Sequence, residues 1–414
     1  MESIPHETEL IATVAVGLSA AFVGGLIAHR LRLPTLIGYL LAGVALGPFT
    51  PGFVADSHLA PQLAEIGVIL LMFGVGNHFS IGDLLAVRRI ALPGAVGQVA
   101  VATVLGFGLT RIWGWDVGAG LVFGLALSVA STVVLLRALE ARGQLTAEPG
   151  RVAVGWLVVE DLIMVLVLVL LPAIAPSIGG GDASATFDSA SLGRTLLVTF
   201  IKVAIFVALM LVGGVRLIPW LLRRVEATGS RELFVLAVLA VALGIAYSAA
   251  ELFGVSFALG AFLAGVVVNE SELSHRAAEE AMPLREAFAV LFFVSVGMLI
   301  DPAFLVAELG RIAMVVAIIM LGKALAALLL VRMLGGATET GLVVAAGLSQ
   351  VGEFSFILAG MGMALGLLPA EGNNLILAGA LASITLNPLL FAAVEPLRDR
   401  MTRRSRLAQQ VSNA

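Results

Sequence analysis

The sequence predicts an all-α integral membrane protein of about thirteen transmembrane helices. Of its 414 residues, 60% are hydrophobic and only 13% are charged, and the mean hydropathy is +1.06. A soluble domain of ordinary composition carries about a quarter charged residues. The 46 glycines suit helices packed closely in lipid, where small residues let backbones approach one another. Apolar stretches also recur near the roughly 20-residue length that a hydrocarbon core of ~30 Å demands.

In chain order, the expected spans begin with residues 10–28, 33–48, 60–78, 90–111, 116–138 and 151–173. They continue with 195–222, 231–250, 254–269, 284–300, 304–333, 340–367 and 372–395. The segment before the first span, Met1 to Glu9, is acidic and has no basic flank. It does not read as a cleavable leader, so the first apolar stretch is expected to be a retained helix. With no cysteine in the chain, disulfides, thiolate metal sites and cysteine catalysis are excluded.

Charge placement tests the count. With the N-terminus outside, the connections expected in the cytoplasm hold Arg30, Arg32, Arg88, Arg89, Arg137, Arg142, Arg151, Arg223, Arg224, Arg231, Arg276, Arg285 and Arg332. The tail adds Arg398, Arg400, Arg403, Arg404 and Arg406, which makes 18 of the 24 Lys and Arg. External connections hold Arg111, Arg194 and Arg311, whereas Lys202, Arg216 and Lys323 fall within spans. A split so uneven follows the positive-inside rule and predicts an external N-terminus and a cytoplasmic C-terminus. The connection at 174–194 is rich in Gly, Ser, Ala and Asp and reads as a flexible external linker. Five stretches result: a first helical block over 1–173, the linker with helix 7 over 174–230, helices 8–10 over 231–300, helices 11–13 over 301–396, and a basic cytoplasmic tail over 397–414.

A charge at mid-bilayer costs several kcal/mol unless it faces a partner or water, so polar residues inside spans are candidate functional groups. The adjacent acids Glu160 and Asp161 lie about ten residues into the sixth span. Neighbours on a helix point roughly 100° apart, so both reach one site only if it is a wide crevice. Burial disfavours a charged carboxylate and a nearby cation favours it. Proton and metal ion therefore compete for one negative site, with Asp161 the favoured acid. Lys323, near the middle of the eleventh span, needs a carboxylate partner, and the acids at similar depth are Glu160, Asp161 and Glu353. A lysine snorkelling to the interface is the alternative.

Two further runs carry small polar residues at mid-span. Helix 5 has Ser128-Val-Ala-Ser-Thr-Val-Val with Ser131 and Thr132, and helix 12 has Gly347-Leu-Ser-Gln-Val-Gly-Glu-Phe-Ser with Gln350 and Glu353. Such runs suit broken helices, whose freed carbonyls and exposed half-helix ends mark transporter sites. Helices 4–6 and 11–13 form equivalent triplets seven spans apart. The odd separation inserts the second upside down, as an inverted-topology repeat with its site at the midplane. In the second triplet Asn387-Pro388 falls near the place of Glu160-Asp161, so the carboxylates belong to one repeat alone.

Weaker features remain. Glu270, Glu272, Glu279, Glu280 and Glu286 with His275, Arg276 and Arg285 read as a solvated cytoplasmic loop. His78, at the inner end of helix 3, reads as a tolerated helix-end histidine rather than a pH sensor. The arginine-rich tail reads as an anchor that touches anionic lipid. No phosphate-binding loop, metal-ligand cluster or nucleophile–base constellation is present. A transporter without a resident cofactor is therefore expected, rather than an enzyme or a nucleic-acid-binding protein.

The stretches Gly254-Val-Ser-Phe-Ala-Leu-Gly-Ala-Phe-Leu-Ala-Gly-Val-Val-Val-Asn-Glu-Ser and Phe288-Ala-Val-Leu-Phe-Phe-Val-Ser-Val-Gly-Met-Leu-Ile-Asp-Pro resemble signatures of Kef-type cation/proton antiporters. Ser349-Gln-Val-Gly-Glu-Phe-Ser-Phe resembles the helix 12 motif of the same family, the second monovalent cation/proton antiporter group. The resemblance spans essentially the whole chain. It implies an inverted-repeat antiporter fold in the bacterial inner membrane, with broken helices 5 and 12 crossing. It also implies a homodimer in which helices 1–3 and 8–10 form the dimerisation domain and helix 7 a linker. Helices 4–6 and 11–13 would form a core that moves like an elevator. The family's ion-binding acid maps onto Asp161, its crossover polar residues onto Ser131, Thr132 and Gln350, and its core lysine onto Lys323.

Two departures bear on what the resemblance implies. Kef potassium efflux systems typically have Gln before the acid, where this chain has Glu160. They also commonly continue into a nucleotide-binding regulatory domain of Rossmann type, which is expected to be absent here. Exchange of K⁺ or Na⁺ for H⁺ at Asp161 is the reading best supported. A potassium efflux channel would want a continuous polar lining, and an organic-anion symporter more basic residues at the site. A non-transporting membrane sensor is the remaining alternative.

Overall fold

A computed structural model describes residues 9–31, 33–51, 59–77, 81–145, 147–179 and 189–412. All regular structure among the described residues is helical. In chain order the helices are α1 (Glu9–Arg30), α2 (Thr35–Leu46), α3 (Leu59–Asn77), α4 (Ile81–Ile112), α5 (Val117–Ser128) and α6 (Thr132–Glu140). Then come α7 (Glu148–Ile174), α8 (Ser189–Leu209), α9 (Val215–Glu226), α10 (Arg231–Phe253), α11 (Phe257–Asn269) and α12 (Ser274–Met298). The last six are α13 (Pro302–Ala307), α14 (Leu309–Ala317), α15 (Lys323–Met333), α16 (Thr338–Leu348), α17 (Glu353–Ala364) and α18 (Ala370–Ser412).

Eight of the described helical stretches are long and apolar enough to cross a membrane, and the bent pair α16–α17 makes a ninth if it counts as one span. The apolar helices Thr35–Leu46, Gln62–Asn77, Val117–Ser128 and Phe257–Asn269 are shorter than that. Nearly every helix overlaps an expected span, because in lipid the backbone must satisfy its own hydrogen bonds and an apolar stretch can do so only as helix.

Three stretches differ from expectation. The charged connection read as a loop is helix from Ser274 onward, as the lower end of α12. Two of its charges have partners: Arg276 pairs with Glu226 at 3.2 Å, and Glu280 with Arg231 at 2.8 Å. Beyond residue 396 the basic tail continues the helix of α18 as far as Ser412. The eleventh span is not a uniform α-helix, because residues Ile318–Gly322 form a π-helical turn between α14 and α15. His78 and residues 180–188 of the linker lie outside the described residues.

The chain divides into two compact units. The first comprises residues 1–79, 165–177 and 184–302. Its helices pack through glycine. A Cβ on Gly43 of α2 would lie 2.8 Å from the Gly297 Cα of α12, and one on Gly265 of α11 would lie 2.7 Å from the Asn77 nitrogen of α3. Backbone-to-backbone approach of this kind is how helices associate where no hydrophobic effect drives them together. Caps define its helix ends: Ser230 accepts from Leu233 N–H and Ser256 from Leu259 N–H. Gly254 closes α10 in a left-handed conformation, φ 64°.

The second unit comprises residues 80–164, 178–183 and 303–414. It holds two triplets of one pattern, each with a helix, a broken helix and a helix: α4, α5/α6, α7 as far as Met164 and then α14/α15, α16/α17, α18. Its core gathers Trp156 and Leu157 of α7, Leu135 and Leu139 of α6, and Val344 and Leu348 of α16. All the candidate site residues lie in this unit.

Candidate ion-binding site

The two breaks arise where the sequence interrupts its apolar runs with small polar residues. Helix α5 ends at Ser128, and Val129 is extended (φ −88°, ψ 134°). Ser131 then caps α6, its Oγ accepting from Val134 N–H at 3.3 Å. In the second triplet α16 ends at Leu348 and α17 begins at Glu353, with a bend of 47° between them. Gly352 is required at this bend, because a Cβ there would lie 2.5 Å from Ser131 Cα and 2.7 Å from Ser131 N. The breaks therefore touch backbone to backbone.

Gln350 fastens them. Its Oε1 accepts from Ser131 N–H at 2.8 Å, and its Nε2 donates to the Ser131 carbonyl at 3.1 Å and to Gly347 O at 3.3 Å. The side chain imitates a peptide and supplies the bonds that the interrupted helix lost. Gln350, expected as an ion ligand, is thus occupied by the opposite break.

Glu160 and Asp161 are both buried and differently employed. Glu160 accepts three hydrogen bonds: Gln98 Nε2 at 2.7 Å, Trp156 Nε1 at 3.1 Å and Ala130 N–H at 3.2 Å. Asp161 accepts one, from Thr132 Oγ at 3.1 Å on Oδ2, and its Oδ1 has no partner. Glu353, at the first turn of α17, is buried; the Ser131 hydroxyl and its own backbone N–H act on its carboxylate, though neither makes a close hydrogen bond to it. The charge of Glu353 acts on Asp161, so two buried and incompletely satisfied acids interact. A buried acceptor without a donor costs on the order of 1–3 kcal/mol, a cost that a cation or proton at the site would remove.

Lys323 is buried, and its direct partner is not a carboxylate. Nζ donates to the Gln350 carbonyl at 2.9 Å, just past the end of α16. Its ammonium and Glu160 interact electrostatically without direct contact. A helix C-terminus is the negative end of the helix dipole, and a cation there is favoured. The π-helical turn ends at the residue before Lys323, and such turns are frequent at functional sites. Asn387 donates to the Ala346 carbonyl at 2.7 Å and so supports the last turn of α16.

Gln98 and Trp156 escaped the sequence reading. Each left a signal: Gln98 is an amide in an otherwise apolar stretch, and Trp156 stands four residues before Glu160 on one helix face.

A model of the sodium/hydrogen exchanger transmembrane family matches residues 17–394. YbaL of Escherichia coli K12, named as a cation/proton antiporter, is 60% identical over 94% of this chain and 69% of its own length. The K⁺ efflux antiporter 4 of Arabidopsis thaliana is 30% identical over 94% of this chain and 64% of its own length. Among solved structures, the sodium/proton antiporter MjNhaP1 of Methanocaldococcus jannaschii matches with a TM-score of 0.71 at 17% identity. That match covers 94% of this chain and 97% of the other and shows a shared fold. The chain therefore belongs to the sodium/hydrogen exchanger family, in its second cation/proton antiporter group, as a multi-pass membrane protein.

Proposed function

We propose that the chain exchanges a monovalent cation, K⁺ or Na⁺, for H⁺ by alternating access, with proton and cation competing for Asp161. The observation that carries this reading is the unpartnered Asp161 Oδ1, buried beside the helix breaks and acted on by the buried carboxylate of Glu353. A cation arriving there trades its hydration shell for Asp161, Glu353 and the hydroxyl oxygens of Thr132 and Ser131. Protonation cancels the charge that held the ion and releases it. Lys323 stays behind as a fixed positive charge, balancing the acids in the empty state and stabilising the end of α16. Gln350 keeps the breaks joined through the cycle. The name of the plant relative favours K⁺, and that of the archaeal one favours Na⁺.

In the same reading the protein works as a homodimer in the bacterial inner membrane, with its N-terminus outside. The unit holding the site moves like an elevator against the other.

The test is proton flux in proteoliposomes that hold a pH gradient, with K⁺, Na⁺, Li⁺ or choline added in turn, for wild type and Asp161→Asn. Dissipation by an alkali cation, lost in the variant, is the expected result and names the ion. Undiminished exchange by Asp161→Asn would remove Asp161 from the site. Ion leak without proton coupling would make the protein a channel.

A further inference from the structure

The two adjacent acids do not share one job. We infer that Gln98 and Trp156 are positioning residues that hold Glu160 as a strut, leaving its neighbour Asp161 free to exchange. This inference rests on the exchange reading above.

Glu160 collects its donors from three places: Gln98 on α4, the Ala130 amide inside the first break, and Trp156 one turn earlier on α7. One carboxylate thus ties together the whole first triplet. All three contacts are donors, so an ionised, acceptor-only carboxylate is satisfied by them without a proton. A cation that displaced them would leave a buried amide and a buried indole N–H without an acceptor, which makes Glu160 a poor transport ligand. Gln98 has itself paid for this arrangement, since its own buried Oε1 has no partner. A buried amide left half satisfied calls for an explanation, and here the explanation is that its NH₂ end is committed to Glu160.

The neighbourhood is shaped to the same end. Trp156 is fully buried, and its ring lies where a Cβ on Gly94 of α4 would be. The glycine lets the ring slide against α4 until the indole N–H meets the carboxylate. Because Glu160 and Asp161 are consecutive on one helix, fixing the first fixes the second. The clasp therefore sets the direction in which Asp161 presents its open oxygen, past Thr132, to an incoming ion. The acid that shares the exchange site with Asp161 is then Glu353, 192 residues further along the chain and on another helix, rather than its sequence neighbour.

A double-mutant cycle tests this in the full chain, reconstituted in proteoliposomes, with cation KM, maximal rate and melting temperature measured for K⁺ and Na⁺. Gln98→Leu should raise the cation KM about tenfold while changing the maximal rate less, because a misdirected Asp161 loses affinity first. Glu160→Gln should do the same, and the double variant should be no worse than Glu160→Gln alone, since Gln98 acts through Glu160. Trp156→Phe keeps the ring against Gly94 and removes only the N–H. It should move KM the same way by a smaller factor, and it carries the test if Gln98→Leu fails to fold.

Multiplying effects in the double variant would overturn the strut, as would an unchanged KM in both Gln98→Leu and Trp156→Phe. Loss of exchange in Glu160→Gln as complete as in Asp161→Asn would make Glu160 an exchange ligand and overturn it too. If wild type moves no alkali cation, the exchange reading itself falls. The coupling between Gln98 and Glu160 in melting temperature would still decide whether the clasp exists.

Discussion

The two helix breaks repeat one geometry with different charges. At both, a half-helix N-terminus faces acid: Glu160 takes the Ala130 amide and Asp161 the Thr132 hydroxyl before α6, while Glu353 opens α17. Carboxylates are favoured there by the positive end of the helix dipole. The carbonyl ends differ. In the second break Lys323 donates to the Gln350 carbonyl. In the first, Ser131 O accepts from the Gln350 amide and Leu125 O from the Ser128 hydroxyl, and among the described residues no cationic side chain donates to Leu125 O or Ser131 O. A repeated fold has thus been given an unequal charge, and a lysine serves one break while the other is held by neutral amide and hydroxyl groups.

The comparison can be broken most severely where the breaks touch. Gly352→Ala places a methyl group against Ser131 backbone that no rotamer change can move aside. Overpacking of that kind costs about 3 kcal/mol, so both a marked fall in melting temperature and loss of exchange are expected. Native-like melting with full exchange would show that the breaks slide past one another freely.

Removing the charge that distinguishes the second break should matter somewhat less. Lys323→Met leaves the Gln350 carbonyl unpaired and the acids without their fixed counter-charge, which costs about 2 kcal/mol. Its melting temperature should fall, and the pH dependence of exchange should move. If neither changes, the lysine has no part in the site.

Asn387→Ala removes only a neutral hydrogen bond to Ala346 O. It should lower stability by about 1 kcal/mol and leave the cation KM within twofold. A KM change as large as that expected for Gln98→Leu would show that the last turn of α16 governs the ion as directly as Glu160 does.

Much of this site could be read in the sequence, because lipid makes polar residues conspicuous. Ser131, Thr132, Gln350 and Glu353 interrupt apolar runs, and the chain does break at those points. Glu160, Asp161 and Lys323 stand out as charges in apolar spans, and all three are buried. What stayed hidden was who bonds to whom. Gln98 and Glu160 are 62 residues apart, and no periodicity within either helix encodes that meeting. Adjacency suggested a working pair of Glu160 and Asp161, yet consecutive residues on a helix face different directions. The charged segment near Glu279 read as loop because its charge density resembles one. Ion pairs across to Arg231 and Glu226, invisible from the local sequence, accompany a helix there.

The π-helical turn at Ile318–Gly322 has a consequence for comparing this protein with its relatives. Such a turn takes up one extra residue without interrupting the helix, so every later side chain is rotated by roughly 100° relative to a regular helix. The orientation of Lys323 toward Gln350 is therefore owed partly to this five-residue turn rather than to residue count alone. A relative that lacks the bulge would bring a lysine one place earlier or later to the same spot. An alignment that forbids a gap there would score the two lysines as unrelated while their charges coincide in space.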